Sequence, residues 1–230
     1  MSDLRSVAPP NLPIASDKYE RRWYDQFSNV LRLFFNSVSN AVNSLITTKI
    51  DGLDGGWRDM LGQAVNPTTG LTIPVWTQIG SGPFYAYHYQ VGDQQWFFYH
   101  VQHDYKQGTP IYLHVHWLTN GTSTNTVKWQ FTYSFARGFN QGASSTYNTT
   151  GTVVTVEEAA SGVAYRHMTS EIAVPITDPN FEVDGILMVH LKRITNGGTD
   201  NANTVYVTMA DCHYQSERFN TKNRTPNFYE

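Results

Sequence analysis

A single cysteine, Cys212, in 230 residues leaves no intrachain disulfide and no thiolate cluster for zinc, so stability has to come from packing. Charge is scarce as well. Charged residues are 15% of the chain, against about a quarter in an ordinary domain, and 16 Lys+Arg face 19 Asp+Glu for a net charge of -3. Cations so few and so dispersed give no footprint for a phosphate backbone, which excludes nucleic acid as an expected partner. There is no run of about 18 apolar residues, and Met1, Ser2, Asp3, Leu4 and Arg5 place no basic flank ahead of an apolar stretch. Neither a membrane span nor a secretory signal is expected. A phosphate-cradling glycine loop, a Gly-x-Ser-x-Gly elbow and a repeat of fixed period are also missing.

What the chain does have is aromatic residues, 14%, on a surface otherwise filled by Thr, Asn, Ser and Gln. The pattern divides into five segments: a strap over 1–16, a helix over 17–50, a hinge over 51–70, a β domain over 71–216 and a tail over 217–230. In the strap, Pro9, Pro10 and Pro13 impose extended geometry, and Leu12 and Ile14 give an extended peptide apolar side chains for docking on a neighbour.

Ser16 or Asp17 can cap a helix, with Glu20 placed to meet its free N–H groups. From there Tyr24, Phe27, Leu31, Phe34, Val38, Ala41 and Leu45 alternate spacings of three and four, forming one apolar seam. Val30, Phe35 and Val42 widen the seam where a two-stranded coil would carry charge. A wide face suits three strands or another protein, and it also suits an amphipathic helix laid on the chain's own β domain. Asp51-Gly52-Leu53-Asp54-Gly55-Gly56 reads as the stop and hinge, with one more helical turn over 57–62.

Beyond 71, short β-branched and aromatic runs at 72–79, 84–89, 95–100, 111–118, 126–135, 151–156, 164–174, 185–192 and 204–212 alternate with Gly/Asn/Ser/Pro clusters. Eight or nine strands without helical intervals predict a mainly β fold: a jelly-roll-like antiparallel sandwich behind an extended arm and one long helix.

His114-Val115-His116-Trp117 puts two imidazoles on one strand face, where they could share a metal ion. Gly108 followed by His-x-His resembles the opening of a cupin motif, but Asn120 and Gly121 stand where that motif needs its glutamate. Two imidazoles without a carboxylate are a poor site unless His88, His100, His103 or His190 converges on them. No cofactor is expected, and His114 and His116 remain the weak metal candidates. Glu157-Glu158 reads as a solvated hairpin end. Trp76, Trp96, Trp117 and Trp129 fit core or subunit packing, or a sugar-stacking platform.

The run Ala8-Pro9-Pro10-Asn11-Leu12-Pro13 and the segment from Asp17 to Asn36 resemble an anchoring segment at the start of tailed-bacteriophage virion proteins. The His114-Val115-His116-Trp117 strand is similar to the β domain of small phage structural proteins of the head-fibre, decoration and tail-fibre kind. The resemblance implies a non-enzymatic homotrimer in the virion: Pro9, Pro10, Leu12, Pro13 and Ile14 strap it to capsid or tail proteins, the helices bundle through the seam, and the β domains project outward. A carbohydrate-binding module for host-surface glycans is the alternative expectation, and a cupin-like metalloenzyme the third.

Overall fold

The computed structural model describes residues 21–50, 54–66, 71–138, 141, 146–178 and 180–217. The strap residues, the capping residues Ser16, Asp17 and Glu20 and the tail beyond 217 lie outside the described residues. The chain divides into two compact units, Met1–Asp54 and Gly55–Glu230.

The first unit contains α1 (Arg21–Ile50), 30 residues with neither glycine nor proline to interrupt the backbone ladder. Phe27, Leu31, Phe34, Val38 and Ala41 along the seam are half-buried, whereas Tyr24 is 48% exposed, and Leu33 and Phe35 stand out at 56% and 61%.

The second unit is an antiparallel sandwich of two sheets. Its strands are β1 (Asp54–Leu61), β2 (Gln63–Val65), β3 (Val75–Gln78), β4 (Tyr85–Tyr89), β5 (Gln94–His100), β6 (Tyr112–Thr119), β7 (Thr126–Ala136), β8 (Thr152–Ala159), β9 (Met168–Glu171), β10 (Ile186–Ile194) and β11 (Val205–Glu217). One sheet runs β3-β4-β11-β6-β9 with β1 also on β11; the other runs β2-β5-β10-β7-β8. The expected mainly β, jelly-roll-like sandwich behind one long helix is the observed class.

The hinge over 51–70 needs correcting. Instead of a further helical turn, residues 57–61 continue β1, and β2 follows at once, so the sandwich starts near Asp54 and not at Leu71. The glycines around Gly55 masked a period-two pattern: Trp57 packs on Tyr112 and Asp59 pairs with His213, while the intervening Arg58 meets Asp104 and Met60 is buried in the core. Gly62 is the corner between the sheets. A Cβ there would come within 2.7 Å of the Tyr99 ring and 2.9 Å of the Ala210 carbonyl.

Three smaller expectations also shift. The run at 164–174 is a strand only over Met168–Glu171, and the residues before it form a loop in which the Tyr165 N–H donates to the Thr119 carbonyl. Glu157 and Glu158 lie inside β8, with Glu157 directly opposite Lys128 in the register of β7. Tyr214, placed by the sequence reading after the last strand, belongs to β11 and is buried, its hydroxyl donating to Asp104.

Between the sheets alternate residues interdigitate. Trp117 from β6 meets Trp129 from β7 at 6.4 Å between ring centroids, and Tyr89 caps Trp129 edge-on at 5.5 Å. Both indoles are fully buried, each contributing on the order of 2–3 kcal/mol of apolar burial. Trp117 Nε1–H donates to Ser170 Oγ at 2.8 Å, which brings β9 into register beside β6.

Candidate functional site

Sheet pleating fixes which residues face outward. On β5 the core takes Gln95, Phe97 and Tyr99, which leaves Trp96 and Phe98 on the outer face. Register carries that row across the sheet: Trp96 lies opposite His190 of β10, His190 opposite Thr132 of β7, and Phe98 opposite Met188. The loop before β8 supplies Tyr147, Asn148, Thr149 and Thr150 to the rim. Together they enclose an open groove of about 500 Å³ whose described lining contains no Asp, Glu, Lys or Arg.

The groove floor is organised by one stack. Trp96 and His190 lie face to face, centroids 4.6 Å apart and planes within 18°. His190 Nε2 is 2.8 Å from Gln94 Oε1 and donates to it, which orients the ring. Burial, and secondarily Lys192, pushes the His190 pKa below the ordinary imidazole value, so the floor is uncharged at neutral pH. Chemically this is a flat apolar floor ringed by hydroxyls and an amide.

The four tryptophans therefore separate. Trp117 and Trp129 are core, Trp96 is the half-buried groove floor, and Trp76 is 58% exposed on edge strand β3, stacked on Tyr85 at 6.3 Å and edge-on to Tyr87 at 4.9 Å.

A second constellation sits on the outer face of the other sheet. His114 and His116 project together from β6 as their spacing requires, but His88, His100 and His190 do not converge on them. His100 pairs with Asp184, His190 belongs to the groove, and His88 tilts against Tyr206. The carboxylate comes from β11, where Asp211 lies directly opposite His114 in the register. Asp211 Oδ1 is 2.6 Å from His114 Nε2 and 3.1 Å from His116 Nε2. The expectation of two imidazoles without a carboxylate is thus overturned by strand pairing.

More groups surround them. His167 stacks on His116 with Nε2 2.7 Å from His116 Nδ1, and Thr169 Oγ1 is 3.2 Å from the same nitrogen. His213, two residues beyond Asp211, lies 4.2 Å from the His114 ring; its Nε2 is 3.0 Å from Asp59 Oδ1 and its Nδ1 contacts Glu171 Oε2. Burial opposes charge on His114, but Asp211, the Tyr112 backbone and Glu171 outweigh it and raise its pKa. At His116 burial dominates; Asp211 opposes it, His114 and His167 add to it, and the pKa falls. Asp211-x-His213 was visible as a second period-two pair complementary to His114-x-His116, but only the pairing of β11 with β6 joins them. Cys212 projects to the opposite, core side, where burial pushes its thiol pKa far up.

Of the residues expected to form a trimer seam, Phe27, Leu31, Phe34, Val38 and Ala41 share the half-buried face of α1; Tyr24 is exposed and the Leu45 side chain lies outside the described residues. Pro9, Pro10, Leu12, Pro13 and Ile14, expected to act as an anchor, also lie outside them.

No protein-family description and no curated protein matches the chain. Among solved structures it is similar to the xylan-binding module CBM15, at 9% identity and a TM-score of 0.31 over 72% of this chain and 94% of that one. It is also similar to TmCBM61, solved in complex with β-1,4-galactotriose, at 11% identity and a TM-score of 0.26 over 74% and 93%. At that distance the two likenesses transfer nothing to this chain.

Proposed function

We propose that this chain is a non-enzymatic glycan-binding protein that holds neutral sugars in the groove of the five-stranded sheet. The observation that carries the reading is the Trp96–His190 stack under a rim of Asn148, Thr149 and Thr150. A pyranose presents an apolar C–H face and a belt of hydroxyls; the first suits a flat aromatic floor and the second suits amide and hydroxyl partners. The uncharged lining favours neutral over acidic sugars. The test is a glycan array probed with wild type and Trp96→Ala, with neutral xylan and β-1,4-galactan fragments included. Binding that is lost in Trp96→Ala and kept in Trp76→Ala supports the groove. Loss only in Trp76→Ala moves the site to the edge strand, and no glycan bound by wild type overturns the reading.

A second reading, compatible with the first, is carried by α1. Its aromatic and aliphatic side chains form a broad apolar face, and a solitary helix of 30 residues gains little from propensity alone. On this reading three copies bundle through Phe27, Leu31, Phe34, Val38 and Ala41, and the proline-rich strap fixes the homotrimer to phage capsid or tail proteins as a virion component that displays the sugar-binding domains. Deletion of residues 1–16 is then expected to abolish incorporation into particles while leaving the oligomer intact; unchanged occupancy would refute the strap.

A further inference from the structure

We infer that His114, His116 and Asp211 form a site for a divalent transition-metal ion of the Zn²⁺ class on the outer face of the six-stranded sheet. The placement is built in by topology. Period-two geometry puts both imidazoles on one face of β6, and antiparallel register sets Asp211 directly across from His114. The three donor atoms all lie within 4.8 Å of one another. A tetrahedral ion with bonds of about 2.0–2.1 Å spaces its ligands about 3.3 Å apart, so the observed 2.6 and 3.1 Å separations need only a small opening.

One buried atom is otherwise unexplained. His114 and Asp211 are 1% and 3% exposed, and Asp211 Oδ1 has no aligned hydrogen-bond donor although two imidazole nitrogens crowd it. A buried carboxylate oxygen left in that condition is costly, and a cation is the group that satisfies it. His116 leads to the same point from the other side. In the tautomer whose Nδ1–H donates to His167 Nε2, which lies 2.7 Å away, its Nε2 is bare and faces Asp211 Oδ1 at 3.1 Å, placed to share an ion with it. An imidazole whose far nitrogen is held by a neighbour is the usual condition of a ligating histidine.

The donor set selects the ion. Two imidazoles and one carboxylate suit Zn²⁺, Ni²⁺, Co²⁺ or Fe²⁺ and disfavour Ca²⁺ and Mg²⁺, which take oxygen ligands. His116 is 18% exposed, which gives the ion a route from solvent and leaves a coordination position for water. The adjoining group of Asp59, His114 and His213 is the poorer choice, because both His213 nitrogens are already engaged by carboxylates.

The test uses the full chain, freed of metal by chelator and titrated with Zn²⁺ by calorimetry, and with Co²⁺ by its visible absorption. One equivalent is expected, with proton release and the intense bands of low-symmetry Co²⁺. His116→Ala and Asp211→Asn should each weaken binding at least 100-fold, and His167→Ala about 10–100-fold. Asp59→Asn should leave stoichiometry and affinity unchanged. Because His114 and Asp211 are buried, circular dichroism checks that each variant is folded, and the half-buried His116→Gln serves if Asp211→Asn is not. Absence of stoichiometric Zn²⁺ in wild type overturns the site, and so does affinity that survives both His116→Gln and His116→Ala.

Discussion

Trp96 lies flat on His190 across the β5–β10 pairing, centroids 4.6 Å apart, and the two rings form the only described face-to-face aromatic floor in the groove. Removing the indole takes away both the surface proposed to face the sugar and the ring stacked on His190. Trp96→Ala is expected to weaken neutral glycan binding tenfold or more, about 1.4 kcal/mol, with little effect on folding because Trp96 is outside the core cluster. His190→Gln keeps a polar group but loses the stack, and should weaken binding by a smaller factor. Calorimetry on the best array hit measures both. Equal affinities in wild type and Trp96→Ala would falsify the assignment.

The N-terminal boundary makes a prediction about truncation. β1 contributes buried Met60 and pairs with β11, and β2 pairs with β5, so each sheet loses an edge if both are removed. Deleting residues 1–50 is expected to leave a sandwich that unfolds cooperatively. Deleting 1–70 is expected to expose the flanks of β11 and β5 and to cost at least about 3 kcal/mol from the lost Met60 burial and edge pairing. Urea denaturation of the two truncations decides it: equal midpoints would return residues 51–70 to the role of linker.

How far the sequence was readable differs between the two faces. Period-two alternation was enough to find β5, β6, β7 and β10, because each has one face in the core and one outside. β1 was hidden by Gly55 and Gly56, which have low strand propensity and which an edge position tolerates. The His114–His116 pair was legible from local spacing, but Asp211 is 95 positions beyond His116, and no local rule specifies strand order. Trp96 could not be separated from Trp129 for the same reason: both sit at regular strand positions, and only the choice of face decides which is floor and which is core.

Histidine titration should split in two directions in chelator-treated protein. His190 and His116, pushed down chiefly by burial, are expected to titrate below the ordinary value of 6.5, and His114, where Asp211, the Tyr112 backbone and Glu171 overcome burial, above it. The stability contributed by His190 and His116 is present above pH 6.5 and is lost as pH falls through their folded-state values. The contribution of His114 has the opposite sign: full below pH 6.5, lost as pH rises through its raised value. Imidazole Cε1–H resonances followed by NMR report each directly. A His114 midpoint below that of His190 would contradict the electrostatics described.

Arg193 is 4% exposed yet faces the core side of β10, where its Nη1 donates to the Tyr89 carbonyl at 2.7 Å and its Nη2 to the Asn201 carbonyl at 2.8 Å. It ties the two sheets together at one end. Burial lowers its pKa while Asp200 and Asp93 oppose the shift, so the guanidinium remains charged in place. Arg193→Ala strips donors from two carbonyls and leaves a void, and is expected to cost roughly 2–4 kcal/mol in urea denaturation. Arg193→Lys should recover less than half, since a single ammonium does not span both acceptors in the fork geometry. A loss under about 1 kcal/mol would mean that water replaces the guanidinium freely.

The face of α1 is the remaining point of attack. Phe27, Leu31, Phe34, Val38 and Ala41 share one side, and Phe34 packs edge-on against Phe35 at 5.7 Å, so the apolar surface is broader than a two-residue seam. In a three-helix bundle Leu31→Asp would place three carboxylates around one axis, each costing roughly 3 kcal/mol to desolvate or protonate. Summed over the assembly, that exceeds what a micromolar trimer can absorb. Analytical ultracentrifugation of the full chain is expected to give a trimer for wild type and a monomer for Leu31→Asp and Phe34→Asp, with the sandwich folded in all three. Asn36, exposed and on the side of α1 opposite the seam, supplies the control: Asn36→Asp should leave the trimer intact. A wild-type chain that sediments as a monomer at micromolar concentration removes the trimer and the fibre reading built on it.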